Sequence, residues 1–154
     1  MPRKKFKLWH SVVGLAALVA LQAVGTYLLP GLAMAWLTLV FAAVGAAITI
    51  YVATEVIEEV RNAQHMLVLL SVVVAEFVVF FAFEYLFLTL VSTTSFPTLP
   101  HDATSLLLHS TMVFVFNPLY LPGNGLGRAL LLVDTFGGLG LVLFILQNIW
   151  QFRT

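Results

Sequence analysis

Apolar residues run almost unbroken through four stretches of the chain, and polar residues collect in the gaps between them. The first stretch runs from about Leu8 to Leu29 and is broken by Pro30-Gly31. The second runs from about Leu32 to Thr54, the third from about Met66 to Val91, and the fourth from about Leu126 to Trp150. Each is long enough to cross a bilayer, which takes ~20 helical residues. The pattern predicts four transmembrane helices. Basic residues ahead of the first stretch also suit a signal peptide. That stretch exceeds the usual h-region of about 7–15 residues, however, and leads straight into a tight hairpin, so it is read as a retained helix. Spans one and two do not echo spans three and four, unlike the matched halves of inverted-repeat transporters.

The gap between spans three and four is patterned differently. Ser92 to Pro100 is polar and contains proline. Asp102 or Thr104 is placed to cap a helix, and an apolar run from Leu106 to Phe116 follows. That run is too short to span and reads as a re-entrant or interfacial helix. Asn117-Pro118-Leu119-Tyr120-Leu121-Pro122-Gly123-Asn124-Gly125 cannot continue it, because its prolines and glycines break regular structure. Irregular backbone at membrane depth must be buried in protein or line water, since lipid leaves its amides unsatisfied. Span, half-helix, irregular return and span are therefore the parts of a pore loop. An inward-pointing half-helix brings its negative end to the membrane centre, where it favours a cation. An extracellular loop carrying a surface helix fits the same periodicity.

Composition agrees with a membrane protein: 61% of residues are hydrophobic and 9% charged, against roughly 25% charged in soluble domains. Seven basic residues balance seven acidic ones, so nothing draws the chain to nucleic acid. Cysteine is absent, which excludes disulfides, thiolate metal sites and cysteine nucleophiles. Arg3, Lys4, Lys5, Lys7, Arg61 and Arg153 all fall on one side of a four-span topology, and the positive-inside rule makes that side cytoplasmic. The expected location is the plasma (inner) membrane, with both termini in the cytoplasm. Trp9, Tyr51 and Trp150 are expected near the inner interface, Tyr27 and Tyr85 nearer the outer one. Glu55, Glu58 and Glu59 share one helical face, as a solvated extension of span two or as a cation-attracting vestibule.

Three carboxylates fall inside spans: Glu76 and Glu84 in the third, Asp134 in the fourth. Such groups are costly in hydrocarbon and face the bundle interior or a cavity. Glu76 and Glu84 are separated by about 80° around a helix, so they can share a broad face. They either hold helices together or mark a cation or proton path. His109 lies in the half-helix, suited to an interhelical hydrogen bond or a titratable outer gate. His101, Asp102 and His109 do not have an established metal-ligand spacing, and no metal or cofactor is expected. His10 and His65 read as polar anchors near the inner interface.

From Ser105 to Trp150, about a third of the chain, the sequence resembles the pore module of the tetrameric potassium-channel superfamily. The matching residues are Pro122, then Leu126-Gly127-Arg128, then Gly137, Gly138 and Gly140. In that family a filter of the type Thr-Val-Gly-Tyr-Gly-Asp precedes the proline, Leu-Gly-Arg often opens the inner helix, and a later glycine serves as a gating hinge. The resemblance thus implies a re-entrant pore helix, a homotetramer, and Gly137, Gly138 and Gly140 as hinge candidates. It places Phe114-Val115-Phe116-Asn117-Pro118-Leu119 at the filter, where only Val115 fits. Phe116 and Pro118 replace the two glycines that let successive carbonyls line the axis.

The expectation is an all-α membrane protein of two parts. Residues 1–65 form an N-terminal transmembrane hairpin with a cytoplasmic linker, and 66–154 a pore-module-like unit with a re-entrant loop. Its partners are the lipid bilayer, further copies of itself and monovalent cations. It is expected to conduct cations with poor potassium/sodium discrimination, with Val115, Phe116, Asn117, Pro118 and Leu119 as the filter segment. Phe114, Phe116 and Leu119 could instead close the path as a hydrophobic constriction. The alternative is a non-conducting four-span accessory or structural subunit. A small glutathione-dependent membrane enzyme fits less well, because Arg61 and Arg128 lie on opposite sides without a clustered Arg/His/Asn motif; no enzymatic activity is expected.

Overall fold

The structure, a computed structural model, describes residues 9–29, 31–59 and 62–151. The basic residues Arg3, Lys4, Lys5, Lys7, Arg61 and Arg153, the break at Pro30, and the side chains of Glu59 and Trp150 lie outside the described set. The described residues form five helices and no strand: α1 (Trp9–Leu28), α2 (Gly31–Glu59), α3 (Ala63–Val91), α4 (Ala103–Phe114) and α5 (Gly125–Gln151). Four of them, α1, α2, α3 and α5, are long and apolar enough to cross a membrane, and α4 is not. The chain is an all-helical integral membrane protein.

Local chemistry sets the helix ends. Asn62 precedes α3, and its side-chain oxygen accepts the backbone N–H groups of Gln64 and His65. Asp102 does the same for α4, accepting the Ser105 N–H at 2.9 Å. Of the two capping candidates Asp102 is therefore the cap. Hydrogen bonds from Ser105 hold its exposed carboxyl below the usual carboxylate range. Helix α2 runs past the apolar stretch to Glu59, and the Tyr51 hydroxyl donates to Glu55 one turn on. Within the helices, the hydroxyls of Thr38, Ser71, Thr89 and Thr111 each donate to the carbonyl four residues back. These polar groups are satisfied without leaving their own helix.

Helix α2 packs on α1, α3 and α5, with its broadest contacts on α3 and α5, while α3 touches all four other helices, α5 less than α2. The small residues of α2 allow this. Ala42 and Ala46 are buried, and a Cβ on Gly45 would lie 2.1 Å from the Phe80 ring of α3. Only glycine lets that ring rest on the α2 backbone. The core is rich in α3 aromatics, with Phe77, Phe80, Phe81 and Tyr85 all buried and Phe77 and Phe81 at 4.6 Å between centroids.

Helix α4 lies between α3 and α5. The Ser110 hydroxyl donates to the Val78 carbonyl at 2.8 Å, and the Phe114 ring stands 5.7 Å from Phe77. Phe77 is the middle residue of α3, and Gly138 is the middle residue of α5. A Cβ on Gly138 would come within 3.1 Å of the Phe114 ring. Helix α4 therefore starts at the end of the bundle where α3 stops and ends halfway along both neighbours. The chain then returns: the Gly123 N–H donates to the Ser95 carbonyl. Asn124 donates to Ser92 and Thr94 while accepting from Ser95 and the Gly127 N–H, tying the return to the loop after α3.

Tyr85, near the end of α3, is fully buried within the protein. Its ring meets Phe96 and His109 edge-on, and its hydroxyl has a partner inside the bundle. An aromatic with a polar tip suits a water interface or a satisfied core position equally.

Candidate functional site

The turn that ends α4 has a defined hydrogen-bond pattern. The Phe116 N–H donates to the Val113 carbonyl and the Asn117 N–H to the Met112 carbonyl, both at 2.8 Å. This is a Schellman closure with Phe116 in the position that glycine usually fills. Phe116 has φ of 61°, the only positive φ among described non-glycine residues. A side chain in that left-handed region costs roughly 1–2 kcal/mol. The closure also uses carbonyls of the last turn of α4, so the helix end itself presents fewer free oxygens than a bare half-helix would.

The oxygens lie further on. Among the described residues, nothing donates to the backbone carbonyls of Val115 through Leu121. The stretch is also open to the outside of the chain: Val115, Phe116, Asn117, Leu119 and Leu121 are exposed, Pro118 and Tyr120 half-buried. Phe114 points the other way, into Phe77 and Gly138, so it does not belong to this exposed set. The Asn117 side chain caps nothing; its backbone N–H closes the turn while the carboxamide faces outward. The stretch can thus offer neutral oxygens, from the backbone and from Asn117, beside the apolar side chains of Phe116 and Leu119.

The intramembrane carboxylates are held elsewhere. Glu84 is fully buried, and Gln22 of α1 donates to both of its oxygens at 2.8 Å. Asp134 is fully buried and accepts the Tyr85 hydroxyl at 2.9 Å. Glu76 is half-buried and accepts the Ser11 hydroxyl at 2.9 Å. Glu76 and Glu84 share the face of α3 that meets α1, whereas Asp134 reaches α3 from α5. Each acid links two helices, and none of them reaches the exposed turn. Ser11, Gln22 and Tyr85 are the partners that sequence reasoning missed. A lone amide in the apolar run of α1 was the available signal for Gln22.

His109 is fully buried and enclosed by Tyr85, Phe96 and Tyr120 at 4.6, 5.6 and 5.4 Å between ring centroids. Its Nδ1 accepts the Tyr120 N–H at 3.4 Å, which leaves the ring proton on Nε2, a buried atom without a hydrogen-bond partner. His109 thereby joins α4 to the returning chain. His101 and Asp102 are exposed at the start of α4, away from this enclosure. No group of three or more His, Asp or Glu side chains among the described residues is arranged to hold a metal. The glycine cluster of α5 seats its neighbours: Gly137 meets Ala46 and Phe77, Gly138 meets Phe114, and Gly140 meets Ile50. No family model, curated protein or solved structure matches the chain.

Proposed function

We propose that the chain is one protomer of a homo-oligomeric, channel-like membrane protein that passes monovalent cations. Helix α4 and the return from Val115 to Leu121 act as its re-entrant pore element, and fourfold assembly follows from the resemblance to potassium-channel pore modules. The observation that carries this reading is the row of unpaired carbonyls, exposed on the protomer surface, next to the helix end at the middle of α3 and α5. Hydrocarbon cannot satisfy such backbone, so it must line water or meet protein. Further copies around a shared axis supply both.

Carbonyls and Asn117 favour cations over anions. Discrimination between potassium and sodium is poor, because Phe116 and Pro118 stand where stacked carbonyl rings need glycine. Reversal potentials of the purified protein in planar bilayers under mixed sodium and potassium gradients test this. Cation permeability without a strong preference is expected, and a reversal potential at the Nernst value for potassium alone would contradict it.

A non-conducting structural subunit is the second reading, and the enclosure of Glu84 and Asp134 favours it. Their carboxyls hold helices together and add no charge to the exposed turn.

A further inference from the structure

We infer that Phe116 forms the narrowest point of the pore: its rings, one from each copy, line the shared axis as an apolar constriction that lowers conductance. This role rests on the pore reading above and falls to the one aromatic in the turn that points away from its own chain.

The backbone supplies the first reason. Phe116 occupies a left-handed Schellman position that glycine or asparagine would fill with less strain. The fold has no use of its own for a large ring there. The side chain is 51% exposed and is absent from the ring pairs that bind Phe77, Phe81, Phe96 and Phe114 into the core. Whatever offsets that strain must come from outside the protomer.

The surroundings supply the second reason. Lipid is a poor neighbour for this ring, because the adjoining carbonyls of Val115, Phe116 and Asn117 lack donors and cannot face hydrocarbon. Phe116 is exposed beside those carbonyls, so in the assembly its ring shares their water-lined side. Phe116 is flanked by Val115 and Leu119, also exposed and apolar. A ring of apolar side chains around a narrow path disfavours water and slows hydrated ions. The remaining exposed polar side chain of the turn, Asn117, is the next residue. The geometry therefore places an apolar constriction beside a polar ligand.

Two experiments on the full-length chain test this. The chain has no cysteine, so Phe116→Cys introduces a single thiol. In native membranes under mild oxidation, copies should cross-link through it. In planar bilayers, Phe116→Asn should raise conductance several-fold over the wild type, since asparagine tolerates the left-handed backbone and wets the constriction. Phe116→Leu, equally apolar, should stay near the wild-type level, and the thermal unfolding of both variants checks that the fold is retained. Conduction by the wild type without cross-linking of the Phe116→Cys variant would overturn the role of Phe116 and leave the pore reading standing. Cross-linking with no gain for Phe116→Asn would make Phe116 an interface residue and not a constriction. Absence of cross-links together with silence of the wild type and of both the Asn and Leu variants would overturn the pore reading as well.

Discussion

Asp134 and Glu84 each lean on one donor from another helix, Tyr85 for the first and Gln22 for the second. Asp134 has little to spare, because its Oδ1 is buried without a partner. Tyr85→Phe removes the only donor to the other oxygen among the described residues while keeping the ring against Phe96 and His109. A buried polar group left unsatisfied costs about 1–3 kcal/mol, so unfolding of this variant in mild detergent should occur at lower temperature or denaturant concentration. An unchanged midpoint would mean that the hydroxyl contributes nothing to the bundle. The interior placement of these acids was legible in the sequence from the cost of a bare carboxylate in lipid. Their partners were not. Gln22 is 62 positions from Glu84, and a tyrosine near a span end looks the same in an aromatic belt as in a core. The left-handed backbone at Phe116 was invisible for another reason: residue type argues against it, and only the closure of α4 imposes it.

Helices α2 and α3 approach closely because Gly45 gives the Phe80 ring a flat seat. Gly45→Ala puts a methyl group into that ring, and overpacking of this kind costs about 1–3 kcal/mol. Gly14 on α1 is the control, since a Cβ there meets nothing within 4 Å. Gly14→Ala should be neutral or should stabilise by up to about 1 kcal/mol through helix propensity. Unfolding midpoints of the two variants should move apart; equal shifts would show that the α2–α3 contact is looser than its geometry. The four spans could be read from the length of the apolar runs, because the bilayer sets that length directly. Their ends could be read less well, since Asn62 caps α3 through backbone N–H groups that hydropathy does not register; the Asp102 cap of α4 is one of two candidates that the sequence offers. The length of α4 was legible too, and so was its stop near Phe114. Its depth was not: an apolar half-helix has the same periodicity on a membrane surface as within a bundle. The packing of Phe114 on Phe77 and Gly138 is the contact on which the proposed re-entrant placement rests.

The whole molecule divides its polar groups between two settings. Glu76, Glu84 and Asp134 each take a donor from another helix and His109 accepts one from the returning chain, while among the described residues nothing donates to the carbonyls from Val115 to Leu121, and Asn117 is exposed. Backbone without donors must meet protein or water rather than hydrocarbon, and that requirement is the ground for the proposed assembly; the exposed apolar residues Leu132, Phe136, Leu143 and Leu146 of α5 can face either neighbours or lipid without penalty. The class of the molecule was legible from composition. The sequence carries the function only as a resemblance to a pore module, because a filter is defined by backbone directions and the glycines that would reveal them are replaced. The central claim is that the turn after α4 faces a water-filled axis. The most direct measurement is the labelling of Asn117→Cys, a single thiol in a cysteine-free chain, in sealed proteoliposomes. The thiol should react with a small hydrophilic reagent that cannot cross lipid, and added monovalent cations should slow that reaction. Reaction only with a lipid-soluble reagent, unaffected by cations, would place Asn117 against hydrocarbon and contradict the account.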